Sequence, residues 1–163
     1  MLGACRFRLG RSARRFAVAG MTVATVALLA AVTANAAANE PTVEELKARV
    51  SSTSIGGRPH LCVQIAEMQL TETDKLYAGA EDEKAQATLT DVVAYSEMAR
   101  DYAIQSHKYQ KQTEIAVRRM ARKLTDVMHS LAHDDQAPVQ AAVKRLQRVR
   151  DDLLMAMFPK GSQ

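Results

Sequence analysis

The chain has 163 residues, 22 of them basic and 18 acidic, with a formal net charge of +4 at pH 7. It contains no Trp, few aromatic residues and only two Cys. This excludes a disulfide-built scaffold and sets a length suited to one domain.

The basic excess lies at the N-terminus. Arg6, Arg8, Arg11, Arg14 and Arg15 form a basic segment without an acidic residue. An uncharged, Ala- and Val-rich stretch from Phe16 to Ala38 follows, and Ala34-Asn35-Ala36 offers the small side chains a signal peptidase requires. Residues 1–36 are therefore read as a signal peptide, cleaved after Ala36 or, as second choice, after Ala38. The stretch is also about long enough to span a bilayer as an uncleaved anchor, but its Ala, Gly and Thr content makes insertion weakly favourable. Leu2-Gly3-Ala4-Cys5 spells a lipobox on the wrong side of this stretch, and Arg14-Arg15-Phe16 departs from a twin-arginine signal by one position. Cleavage removes five of the 22 basic residues and leaves 17 against 18 acidic ones. The mature chain is thus near neutral, and its charge gives no argument for nucleic-acid binding. It keeps one cysteine, Cys62, which reads as a small buried hydrophobe in a chain that can form no internal disulfide.

The mature chain divides into residues 37–58, a short helix and a Ser/Gly loop, and residues 59–163, a helical domain. Thr42-Val43-Glu44-Glu45 is a capping box that opens the first helix, expected to run to about Val50. Ser51 to Arg58 forms the loop, and Pro59 suits the first turn of a second helix ending near Tyr77, with Leu61, Ile65, Met68 and Leu76 inward. Ala78-Gly79-Ala80 closes it. From Glu81 to about His133 there is neither Gly nor Pro, and Val92, Tyr95, Ala99, Tyr102, Ser106, Tyr109, Thr113, Ala116 and Met120 alternate steps of three and four. Leu124, Val127 and Leu131 continue after one stutter. The pattern predicts one long helix; the alternative is two helices broken near Ser106–Gln112. Asp134-Asp135 would cap a last helix that Pro138 opens and Pro159 ends, with Val139, Val143, Leu146, Val149, Leu153 and Met157 inward. The fold class is all-α: an elongated hairpin or bundle built on a long central helix, or a compact four-helix bundle.

Two local similarities accompany this pattern. Leu76-Tyr77-Ala78-Gly79 with Lys84-Ala85 resembles the helical hairpin of a tetratricopeptide repeat, with the Gly-to-Ala spacing one residue too long and no second copy. Leu89-Thr90-Asp91-Val92-Val93 and Leu124-Thr125-Asp126-Val127-Met128 resemble the Leu-Thr-x-x-Gln signature of small helical periplasmic chaperones, with Gln absent from both copies. The resemblance implies an exported, chaperone-like helical protein.

No haem, di-iron, zinc-protease or serine-hydrolase motif is present, so no catalytic residue and no cofactor is assigned. Asp126, His129 and His133, at i, i+3 and i+7, share one face of the long helix's last turns and would make a candidate metal site through two imidazoles and a carboxylate. Residues 37–105 hold 12 acidic and 6 basic side chains, and residues 106–163 hold 6 and 11. Lys108, Lys111, Arg118, Arg119, Arg122 and Lys123 form a basic stripe for pairing with the acidic half or for an anionic surface. The expected role is a periplasmic or secreted binding or scaffolding protein that does not span the membrane. Its partner is a second copy, through a strip of Tyr95, Tyr102 and Tyr109, or another envelope protein, and not nucleic acid. A metal-binding or stress-sensing protein is the alternative, and an enzyme without a recognisable motif ranks third.

Overall fold

The computed structural model describes residues 41–159; the expected signal peptide and its cleavage points lie outside the described residues. Five α-helices appear: α1 (Val43–Ser52), α2 (Arg58–Ala78), α3 (Asp82–Ser106), α4 (Gln110–Ser130) and α5 (Gln136–Met157), with a 3-10 turn at His133–Asp135. No strand occurs among the described residues, and the chain is an all-α helical bundle.

The termini follow local chemistry. Thr42 Oγ1 accepts from the Glu45 amide at 3.3 Å while the Glu45 carboxylate accepts from the Thr42 amide at 3.0 Å, as the capping box predicts. Pro59 stands in the first turn of α2, where its missing N–H breaks no helical bond. The helix stops through a Schellman arrangement: the Glu81 amide donates to the Leu76 carbonyl at 2.9 Å and the Ala80 amide to the Tyr77 carbonyl at 3.1 Å. The left-handed residue this requires is Ala80, at φ 55°, whereas Gly79 has φ −87°. Asp135 precedes α5 without a side-chain capping bond, so the capping expected of Asp134-Asp135 is not made. Gln136 Nε2 instead donates to the Leu131 carbonyl at 3.1 Å and ties the turn.

The single long helix expected over Glu81–His133 is not formed. The chain leaves the helix at His107, with φ 54°, and re-enters after Tyr109, with φ 61°. Two non-glycine residues in the left-handed region cost about 1–2 kcal/mol each. Folding back at this point lets α4 and α5 cover α2 and α3. One core then forms, with Leu70, Val92, Val117, Met120, Leu146 and Leu153 all at most 5% exposed. Each such side chain contributes about 1.5–3 kcal/mol on burial, so the shared core outweighs the strained turn several times over.

Ion pairs show the direction of the helices. Glu67 with Arg119 and Asp74 with Lys123 ascend together along α2 and α4, and Glu97 with Arg145 and Arg100 with Asp152 do so along α3 and α5. Glu114, near the start of α4, meets Arg150, in the second half of α5, as antiparallel neighbours do. Helices α2 to α5 therefore run up, down, up, down. The short α1 seals one end by placing Leu46 and Val50 against Leu61, Cys62, Ile65 and Ala99.

The inward face of α3 and α4 sits one residue off part of the predicted stripe. Ala85, Leu89, Val92, Ser96, Ala99, Ala103, Ser106, Gln110, Thr113, Val117, Met120, Leu124, Val127 and Leu131 form one buried or half-buried row, with Val93, Glu114 and Ala116 buried beside it. This row alternates steps of four and three on both sides of the break, and the predicted positions Thr113, Ala116, Met120, Leu124 and Val127 are buried as well. Tyr95 and Tyr102 flank this seam and pack against the α1–α2 cluster. Lys47 lies 5.8 Å from the Tyr95 ring and Arg58 lies 5.2 Å from that of Tyr102. Tyr109 is exposed and stacks on His60 at 6.1 Å between ring centroids. The open strip of three tyrosines is thus corrected: α1 and the start of α2 cover two of them.

Candidate functional site

The six predicted surface cations separate into two groups. Arg118, Arg119, Arg122 and Lys123 occupy adjacent turns of α4 and line a shallow groove of about 660 Å³ with Asp74, Asp126 and the edge of Ile115. Lys108 and Lys111 lie at the other end of α4 and do not line it. The Lys108 stem runs over Gly56, where a Cβ would stand 2.8 Å from Lys108 Cδ.

The sequence also helps explain why the cations face outward. Along α4, Thr113, Val117, Met120, Leu124 and Val127 face the core. The side chains at 115, 118, 119, 122, 123 and 126 fall on the opposite face, as a 3.6-residue period demands. Several are partly neutralised. Lys123 Nζ lies 2.7 Å from Asp74, Arg119 pairs with Glu67, and Arg118 Nε lies 3.6 Å from Glu114. Arg122 makes no ion pair among the described residues. Exposed pairs of this kind hold the two helices in register but contribute little stability, about 1 kcal/mol or less each. They leave a face positive at its centre and bordered by an exposed isoleucine.

Charge asymmetry along the chain is therefore used within it. The acidic half, on α2 and α3, meets the basic half, on α4 and α5, through Glu67, Asp74 and Glu97, while Arg100 with Asp152 pairs in the reverse polarity. The charge complementarity between the two halves is thus largely met inside one chain.

Glu114 was missed in the sequence. Its carboxylate is nearly buried, accepts from Arg150 Nε at 3.0 Å and faces Arg118. A glutamate between Thr113 and Ile115 reads as a solvated helical position, and its partner lies 36 residues onward on another helix. Only the packing of α5 on α4 shows that it is a bracket between two guanidinium groups.

The candidate metal ligands do not come together. The α4 helix ends at Ser130, and Leu131 and Ala132 are extended, so His133 leaves the face that carries Asp126 and His129. Among the described residues no group of three His, Cys, Asp or Glu side chains is placed to hold a metal. The helical phase that would have aligned them breaks because the chain must turn to lay α5 against α4.

Cys62 is fully buried between α1, α2 and α3. Burial pushes its thiol up to about 11 against a small opposing effect of Arg58, so it is a protonated core side chain at neutral pH. Burial likewise raises Tyr77, with Asp82 and Asp135 adding to the effect.

The two similar segments serve packing. Leu89 and Leu124 fill the seam, while Thr90 and Thr125 donate to the carbonyls of Gln86 and Ala121 on their own helices. Asp91 accepts from Lys47 and Gln69, and Asp126 borders the groove. The segment from Leu76 to Ala85 does make a helix–turn–helix, with Tyr77 and Ala85 in the same core cluster. No family model, no curated protein and no solved structure matches this chain.

Proposed function

We propose that this is an exported binding or scaffolding protein of the cell envelope whose α4 groove engages an anionic surface. The observation that carries the reading is the groove itself: Arg118, Arg119, Arg122 and Lys123 on one helical face, incompletely neutralised, beside exposed Ile115. A cationic helical face with an apolar edge suits head groups or acidic polymers, each basic residue near an anionic surface contributing about 1 kcal/mol. The five-arginine segment, the uncharged stretch and Ala34-Asn35-Ala36 support export. No helix among the described residues is long and apolar enough to cross a membrane, which fits attachment to a surface. The resemblance to small periplasmic chaperones fits the same compartment.

The test uses the chain beginning at Ala37 and its Arg118→Glu, Arg122→Glu variant. Sedimentation with vesicles bearing anionic head groups should retain the parent and lose the variant by about tenfold or more in affinity, with salt weakening both. Equal binding to zwitterionic vesicles, or an unchanged double variant, would refute the reading.

A further inference from the structure

We infer that the turn from Ser106 to Gln110 is a hinge through which two copies of this chain exchange their α4–α5 hairpins, with α3 and α4 joining into one continuous helix in each copy.

Three observations carry it. The turn is short and strained: His107 and Tyr109 both hold left-handed backbone, and neither is glycine. A continuous helix would return both to right-handed geometry, and short strained connections are the ones that favour exchange. Second, the seam from Ala85 to Leu131 keeps its alternation of four and three through the turn. A straightened helix would therefore keep these positions on one face, apolar towards both ends with Ser106, Gln110 and Thr113 between, instead of on two faces rotated apart. A connection selected only as a turn has no need to preserve that phase, and this one also lacks Gly and Pro.

Third, the contacts that join the two hairpins can all form between copies. Glu67–Arg119, Asp74–Lys123, Glu97–Arg145 and Arg100–Asp152 each link the α2–α3 hairpin to the α4–α5 hairpin. The core between them is equally transferable. What the closed form holds uniquely is small and lies near the surface: Tyr109 stacked on His60, and Lys108 laid over Gly56. The exchanged form has the same core, loses these two contacts and gains two relaxed residues per chain. A joined helix from Asp82 to Ser130 spans about 74 Å at 1.5 Å per residue. Two such helices, each carrying a hairpin at either end, close as a two-fold dimer. The exchange is independent of what the α4 groove binds.

The experiment co-refolds equal amounts of light and nitrogen-15-labelled chains beginning at Ala37, at submillimolar concentration, and isolates the dimer fraction by size. Zero-length carbodiimide coupling then joins carboxylates to lysines already in contact. Asp74–Lys123, 2.7 Å apart, reports the contact between hairpins. Lys47–Asp91, 3.5 Å apart, lies within the N-terminal half and is the internal control. In an exchanged dimer about half of the Asp74–Lys123 product carries one light and one heavy peptide, the statistical share for two-fold pairing. The Lys47–Asp91 product stays within one mass class. A dimer whose Asp74–Lys123 product is also of one mass class has associated through its surface, and overturns the inference. A pair of hinge variants guards against a dimer too scarce to isolate. His107→Ala with Tyr109→Ala favours the straight helix, and His107→Gly with Tyr109→Gly favours the left-handed turn. The alanine pair should dimerise at least about a hundredfold more tightly than the glycine pair. If both stay monomeric by light scattering, the hinge does not open and the proposal fails.

Discussion

Thr113 offers a direct test of how the core is built. Its side chain is 1% exposed, and its Oγ1 has no hydrogen-bond partner. A buried hydroxyl left without a partner costs about 1–3 kcal/mol. Thr113→Val keeps the shape and β-branching, removes that penalty and places a methyl group where the buried hydroxyl stood. Thr and Val have similar helix propensity, so the helix contributes little to the difference. The expected gain is about 1–2 kcal/mol, which in a domain of this size raises the melting temperature by about 3–6 °C. Thr73 supplies the matched control, because it is just as buried but its Oγ1 donates to the Gln69 carbonyl at 2.8 Å. Thr73→Val loses a made hydrogen bond where Thr113→Val loses none, so it should lag by about 1 kcal/mol or more. Urea unfolding followed by far-ultraviolet circular dichroism, on chains beginning at Ala37, measures both. An unchanged denaturant slope would show that the unfolded state is the same. If Thr113→Val is neutral or destabilising while Thr73→Val is better tolerated, then the Thr113 hydroxyl has a partner and the reasoning fails.

Three further outcomes are expected. Ala80→Gly should stabilise the protein by about 1 kcal/mol in the same unfolding assay, because Ala80 holds the left-handed position of the α2 cap; a loss of stability would mean that the turn adopts another geometry. Glu114→Ala should cost about 1–3 kcal/mol, less than a fully buried pair because Arg150 and Arg118 are partly exposed and regain water. Cys62 should resist alkylation at neutral pH until the protein unfolds, with its thiol pushed up to about 11 by burial. The folded thiol is protonated where the unfolded one ionises, so the stability this gives is complete below about pH 9 and is lost as pH rises through about 11. Rapid labelling of the native chain at neutral pH would contradict this placement.

Local chemistry wrote much of the fold into the sequence. The capping box at Thr42 and Glu45, Pro59 at the start of α2 and the apolar spacing of Val139, Val143, Leu146, Val149 and Leu153 each depend on residues within a few positions. Such interactions are formed by the segment itself, so its bounds could be read before any packing was known. The outward placement of Arg118, Arg119, Arg122 and Lys123 was legible for the same reason, since helical period alone sends them away from Val117, Met120 and Leu124.

Tertiary structure decided what period cannot. The break at His107–Tyr109 has no glycine or proline to announce it, because its cause is distant: the apolar faces of α2 and α3 need α4 and α5 to cover them, and that gain exceeds the strain of two left-handed residues. This reversal also meets the acidic half of the chain with the basic half. The second turn, after Ser130, carries His133 away from Asp126 and His129 and brings Glu114 to Arg150, while α1 and the start of α2 cover Tyr95 and Tyr102. Helical phase is a property of neighbours in sequence, whereas these pairings depend on which faces the folded chain brings together.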